Sequence, residues 1–442
     1  MGLLWHILER HLDEADFLLE VWTGCLEAPD YTLDELAAGP EARVLAQLDA
    51  LALAGAPIID ELLVPALERE SLDRSLACAA SLALLEVGTV NDCGRLLDIL
   101  DRAEAGDERW LGVSRGIELS ERAGLDGWLL DQLSRAGATS RVAALARAIA
   151  GRGIDPGSGL VGMLRSEDPH LLVAAAELAR YAEDAQCLAL VGPLARVDVP
   201  AVQRAAIETG LIRGLPGAWE SAVYWAFTDA PCEFRRSALT WVAMLGDAAC
   251  QRRLLSSLEV DGLSRDILWA LGFGGHVEAV DAAVALLADG GLGPLAGELV
   301  SAVAGAPSED ETLWRDPTRA EAPSELESLA KDLSADIDED PEDRLQSPNP
   351  EAFAAWWATR REQLVAAPRL LGGRPWSPEG LLEELQGAPL RRRHLLSLEL
   401  QIRSGGAVRV ATRSWAGRQR EQLASLSPAG LTLRGSLSAG SS

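Results

Sequence analysis

From Asp168 to Pro294 the chain repeats itself, and nothing else in the sequence constrains its fold as tightly. Helix-opening punctuation stands at Asp168-Pro169, Val199-Pro200, Ala230-Pro231, Asp261-Gly262 and Gly293-Pro294, in steps of 31, 31, 31 and 32 residues. Proline suits the first turn of a helix, where its missing N–H would go unpaired anyway, and Asp before it is a good N-cap. In the Pro231 unit, Phe234, Ala238, Trp241, Val242 and Leu245 fall three and four apart and make one apolar stripe, which Gly246-Asp247 ends. Leu254, Leu255 and Leu258 make the stripe of a partner helix. Helices of about three turns are marginal alone, so each pair must stack on its neighbours to bury its apolar face. The pattern predicts an all-α fold, an α-solenoid of short helical-pair repeats of about 31 residues.

The unit Glu233-Phe-Arg-Arg-Ser-Ala-Leu-Thr-Trp-Val-Ala-Met-Leu-Gly-Asp247, with the Leu254–Leu258 helix after it, resembles a HEAT repeat. Its length is similar to that of the short HEAT-like variety in phycobilin lyases. The resemblance implies a helical-pair stack and leaves function open, because such repeats serve scaffolds, adaptors and a few enzymes.

Projecting the step back from Pro169 lands on Ala138-Thr139-Ser140, a plausible helix start, and earlier units drift out of register. An amphipathic helix is expected over residues 4–27. Thr32-Leu-Asp-Glu35 reads as a capping box whose helix Gly39-Pro40 soon interrupts. The expected organisation is an N-terminal helical cap over 1–70 and a repeat region over 71–306, most regular over 168–294. An acidic loop or linker over 307–347, a helical Trp/Arg-rich region over 348–425 and a disordered tail over 426–442 follow. From Ser308 to Arg344, 14 acidic residues face four basic ones, too polar a segment to offset its own ordering entropy. Asp336, Asp338 and Asp340 alternate as calcium ligands do, but Pro341 stands where the loop needs Gly and Ser347 where it needs Glu.

The net charge of −27 argues against general binding to nucleic acid or to anionic membranes. Charge enters at Glu9-Arg10, too early for a signal-peptide core, and no run of 18 uncharged apolar residues occurs, so a cytoplasmic chain without a membrane span is expected. Cys25, Cys78, Cys93, Cys187, Cys232 and Cys250 are widely spaced and form no Cys-x-x-Cys, which fits reduced, buried thiols.

The C-terminal region carries a second resemblance. Trp356-Trp357, Arg369-Leu-Leu-Gly-Gly-Arg-Pro-Trp376, the helix with Arg391–Arg393 and Glu399-Leu400, and Trp415-Ala-Gly-Arg-Gln419 are similar to a bacterial family of HEAT-like proteins often encoded beside type VI secretion spike genes. The N-terminal helix and Leu286–Ala304 also fit, so the likeness covers most of the chain. It implies an accessory factor for effector loading and carries over no catalytic residue.

Catalytic patterns are missing. Each of the five His (6, 11, 170, 276, 394) is followed by Ile, Leu or Val, so the His-Glu dipeptides of a HEAT-repeat di-iron enzyme are not present. His6 and His11 are five apart rather than the four that puts two ligands on one helix face. No nucleophile elbow, Walker loop or dinucleotide fingerprint occurs, and Gly272-Phe-Gly-Gly275 reads as an inter-helix turn because no strand precedes it. Catalytic residues, metal ligands and cofactors are therefore expected to be none. HEAT-like DNA glycosylases hold the duplex on a basic face, which so acidic a chain does not provide.

Residues 360–420 carry 12 Arg against five Glu, and Trp is abundant nearby. Trp and Arg are favoured at binding hot spots, so Trp356, Trp357, Trp376, Arg391, Arg392, Arg393 and Trp415 are the candidate protein-binding residues. The competing reading places the Trp in the core and pairs the Arg cluster with the acidic 308–344 segment, which the complementary local charges favour. The expected function is a non-catalytic adaptor or scaffold for a protein partner, such as a secretion effector or spike component. The alternative is a lyase-type enzyme of the phycobilin-lyase kind with acidic groove residues as acid and base.

Overall fold

The computed structural model describes residues 3–135, 137–260, 262–315 and 340–437. They form an all-α helical-repeat fold, and among them the only ladder is the two-residue pairing of Leu370–Leu371 with Arg374–Pro375. The chain divides into two compact units. The first comprises Met1–Leu26, Tyr31–Ser221 and Leu400–Ser427; the second comprises Glu27–Asp30, Ala222–Glu399 and Pro428–Ser442.

In the first unit the helices Arg74–Val87, Glu108–Leu119, Thr139–Arg152, Pro169–Leu178 and Pro200–Arg213 stack each on the next. Shorter helices such as Leu125–Ser134 and Ala185–Leu194 alternate with them. Stacking demands close approach: a Cβ on Gly112 would meet Ala77 Cβ and the Arg74 carbonyl at 2.4 Å. The back-projected start at Thr139 is a helix start with Ala138 as N-cap. The repeat continues two units further than its punctuation indicated, because Asp107 and Asp73 cap the helices at Glu108 and Arg74 without any proline. Their carboxylates accept the N–H of Trp110 at 2.6 Å and of Leu76 at 2.7 Å.

Three arginines tie neighbouring repeats together. Arg122 Nη1 donates to the carbonyls of Leu85 (2.5 Å) and Gly88 (2.6 Å). Arg152 Nη1 donates to Ile117 (3.3 Å), Glu118 (3.0 Å) and Ser120 (2.6 Å). Arg213 donates to Arg180 (3.2 Å) and Ala182 (3.1 Å). In each case the guanidinium, at or just after the end of one helix, donates to carbonyls at or just beyond the C-terminal end of the preceding stacked helix, where the negative end of its dipole lies.

The helix Trp5–Leu26 packs on Ala42–Ala52 and Arg74–Val87 and buries Leu12, Ala15, Leu19 and Trp22. The capping box is present: Thr32 N–H donates to Glu35 Oε2 at 2.8 Å. Pro40 does not interrupt the helix. The chain passes through a π-helical turn, Ala37–Glu41, and continues into Ala42–Ala52. A wider turn of this kind absorbs the missing proline N–H.

In the second unit Arg235–Leu245, Ser264–Gly274 and Gly293–Ala304 stack in succession. The helix of the Pro231 repeat begins at Arg235 rather than at the proline, with Phe234 as N-cap. Its Arg235 takes the carbonyls of Trp225 (3.4 Å), Thr228 (2.6 Å) and Ala230 across the turn. The Gly272–Gly275 stretch, read as an inter-helix turn, is mostly helix: Gly272, Phe273 and Gly274 complete Ser264–Gly274, and only Gly275, in the left-handed region (φ +74°), is its cap. The helices Pro350–Leu364 and Pro378–Gly387 belong to this unit.

Two boundaries drawn from composition look different in the structure. Residues 340–347, assigned to the acidic linker, include the short helix Pro341–Arg344 and a buried Glu342. Leu437, in the stretch read as a disordered tail, donates its N–H to the Leu245 carbonyl at 3.0 Å. Asp336 and Asp338 lie outside the described residues; Asp340 is the N-cap of the short helix.

Candidate functional site

The seven candidate residues do not form one patch, and five of them are buried. Trp415 belongs to the first unit and is 5% exposed. Its ring lies 4.7 Å from that of Trp22, and its Nε1–H donates to the Leu119 carbonyl at 3.0 Å. Beneath this pair is Glu41, set inward by the π turn. Its carboxylate accepts Trp22 Nε1–H at 3.0 Å and the Ala416 N–H at 2.8 Å, which caps the helix Ala416–Ala424. Burial pushes the Glu41 carboxyl above its ordinary range, although these two donors and Arg420 pull it back. The Leu400–Ser427 segment is fixed along the first unit by further bonds, Arg409 to the Gly151 carbonyl (2.5 Å) and Arg418 to the Arg152 carbonyl (3.1 Å). This part of the Trp/Arg-rich region is core.

Arg391, Arg392 and Arg393 are 6%, 5% and 0% exposed. Arg391 pairs with Glu298 at 2.8 Å and with Glu342 at 3.6 Å, and its guanidinium lies 4.3 Å from the Trp269 ring centroid. Glu342 is the acidic hub here, holding Arg236 and Arg265 as well. Arg392 donates to the Gly272 carbonyl at 2.7 Å and stacks on Phe273 at 4.1 Å. Burial pulls the Arg392 guanidinium below its ordinary range. Arg393 Nε donates to the Leu385 carbonyl at 2.5 Å. The cluster is thus consumed inside the second unit, and the reading of it as a surface for a partner is corrected: charges this buried persist because each has an internal counterpart.

The signature turn is structural too. Leu370 N–H donates to the Gly275 carbonyl (2.7 Å), and Gly372 and Gly373 donate to Ala302 and Val303 (2.9 Å each). Backbone amides here cap the carbonyl ends of two stacked helices, as arginines do in the first unit. Gly275 must be glycine, because a Cβ would meet the Leu370 oxygen at 2.2 Å. Arg369 donates to the Phe273 carbonyl (2.9 Å) and forms a two-pronged pair with the fully buried Glu399, one contact at 2.8 Å. Arg369 and Glu399, 30 residues apart and both in the motifs singled out, are each other's partner.

Trp357 is 4% exposed and gives its Nε1–H to Asp281 at 2.8 Å. Arg361 holds the same carboxylate at 2.7 Å, and these donors keep the Asp281 carboxyl below its usual range. Trp376 is half-buried, 5.3 Å from the Arg369 guanidinium. Trp356 is half-buried beside Arg360 at 5.4 Å with the exposed Thr359 one turn along, and exposed Ala354, Ala355 and Ala358 lie further round the same helix. Of the seven, Trp356 and Trp376 alone reach the surface.

One acid–base group was missed. Asp16, half-buried on the first helix, meets Ser75 and Asp73 at the N-cap of Arg74–Val87, with Glu20 near. Burial first, then these two neighbouring acids, push its carboxyl from 3.8 up to about 6, against the Ser75 hydrogen bond. Helical spacing places Glu20 with Asp16, but nothing in the sequence brings Asp73 to them. Among the described residues no disulfide forms: four thiols are buried and Cys232 and Cys250 half-buried, with Cys78 pushed to about 12 by burial. Among the described residues, no group of three or more His, Cys, Asp or Glu lies where it could hold a metal ion, and no helix is long and apolar enough to cross a membrane.

No protein-family model matches the chain, and no curated protein matches its sequence.

Proposed function

We propose that this protein is a non-catalytic HEAT-like scaffold that binds another protein through the outer face of helix Pro350–Leu364. The observation that carries the reading is Trp356, half-buried and stacked on Arg360, with the exposed Thr359 one turn along the same face. Trp and Arg are the residue types that anchor interfaces. The strongly acidic chain favours a basic or amphipathic partner segment. The resemblance of the C-terminal motifs narrows the partner to a type VI secretion spike or effector, with this chain as a loading factor.

Affinity capture of the tagged full chain from its native cells, compared with W356A/R360A, tests the reading. Removal of Leu400–Ser427 is no substitute, because that segment is part of the first unit's core. The expected result is recovery of a spike or effector with the wild type and at least about a tenfold loss with the double variant. Equal recovery with both would sink the assignment of the surface.

The Asp16–Asp73 pair supports a second, enzymatic reading, since a carboxyl titrating near 6 is suited to general acid–base work. Its test is Asp16→Asn in a lyase assay with small-molecule substrates; turnover unchanged by the substitution would dismiss it.

A further inference from the structure

We propose that the outer stripe of helix Trp5–Leu26 is a self-association seam, pairing antiparallel with the same helix of a second copy of this chain. Ile7, Phe17 and Val21 are 40%, 57% and 36% exposed, although the helix already buries a full apolar face on the other side. With Arg10 and Glu14 they form the series 7, 10, 14, 17, 21, spaced three and four apart. At 3.6 residues per turn these five positions fall within an arc of about 80°. Alternating threes and fours are the spacing of a helix–helix seam rather than of a scattered surface.

The charges select both partner and register. In an antiparallel pair, Ile7 falls opposite Phe17 of the second copy and Arg10 opposite Glu14 of the second copy. Two-fold symmetry repeats both contacts, and Val21 then faces the Leu3–Leu4 end, where Leu4 is 59% exposed. Parallel in-register pairing sets Arg10 on Arg10 and Glu14 on Glu14. Sliding by one heptad sets a charge against Val21 or Phe17, or leaves Phe17 without a partner. Within one chain, Arg10 and Glu14 form no ion pair among the described residues, and Arg preceding Glu by four is the weaker helical order. Both charges are therefore available across the seam. A membrane is a poor occupant, since the remaining exposed face carries Glu9, Asp13 and Glu20.

A seam one helix wide lies at the low end of specific interfaces, so the dimer is expected to have a Kd on the order of micromolar. Sedimentation equilibrium of the full chain over a concentration series tests it, with helicity checked by circular dichroism. F17D should leave a folded monomer. R10E and E14R each put like charges opposite at both crossings and should weaken the dimer at least about tenfold. Mixed in equal amounts, R10E and E14R match charge at both crossings and should restore a dimer, now of one copy of each. A wild type that stays monomeric overturns the proposal. So does a dimer indifferent to the single charge changes, or a mixture no tighter than its components. The measurement needs no other protein, so it stands apart from the adaptor reading.

Discussion

Arg152→Met isolates the device that couples one repeat to the next. The substitution keeps most of the buried stem and removes the guanidinium, which is 7% exposed. Three carbonyls at the end of helix Glu108–Leu119, those of Ile117, Glu118 and Ser120, lose their donor. Each orphaned, largely buried acceptor costs about 1 kcal/mol or more, so the loss should be about 3 kcal/mol. The ion pair with Asp126 adds little, because that carboxylate is 55% exposed. Native-state hydrogen exchange is the assay: amides of Glu108–Leu119 should open roughly 100-fold more often. Helix Arg235–Leu245 of the second unit is the internal reference and should hold its rate. Arg95→Met, which breaks the exposed 2.7 Å pair with Asp60, should change exchange by less than about twofold. If Arg152→Met accelerates helix Glu108–Leu119 no more than Arg95→Met does, the carbonyl-capping account is wrong.

Three further outcomes follow from the same geometry. Glu399→Gln leaves the Arg369 guanidinium without its counter-charge in a buried site and should cost about 3–5 kcal/mol in urea unfolding; a loss under about 1 kcal/mol would contradict the pairing. Gly275→Ala adds a Cβ 2.2 Å from the Leu370 oxygen at a φ of +74°, and should cost at least about 2 kcal/mol, whereas Gly127→Ala, with open space around it, should cost none. Asp16 binds its proton more tightly folded (about 6) than at its ordinary 3.8, so its contribution is present at low pH and is lost as pH rises from about 4 to about 6. Discounted for its half-exposed position, that loss is about 1–2 kcal/mol; Asp16→Asn should flatten it, and an unchanged pH slope would refute the assignment.

The helical-pair architecture could be read from the chain because proline and glycine mark helix ends locally. Pro169 and Pro200 open helices where expected, and Thr139 starts one with no proline at all. What local pattern cannot carry is the pairing of distant residues. Arg122, Arg152 and Arg213 look like ordinary surface charges until the preceding helix brings its carbonyl ends to them. Glu342 lies in a stretch whose composition signals solvent, yet three arginines from elsewhere in the sequence draw its side chain inside. The Trp/Arg-rich motifs drew notice for their residue types, and those types proved to serve packing: Trp415 on Trp22, Arg369 on Glu399, Arg392 on Phe273. Pro40 misled for the opposite reason, since a π turn removed the break that its chemistry ordinarily imposes.

The most direct test of the adaptor account is photo-crosslinking in native cells. A photoreactive phenylalanine in place of the exposed Thr359, one helical turn from Trp356, would capture whatever sits on that face; the same residue in place of Ser256 is the control. The account predicts a covalent adduct with a single spike or effector protein from position 359 and none from position 256. No adduct from position 359, or the same adducts from both, would contradict it.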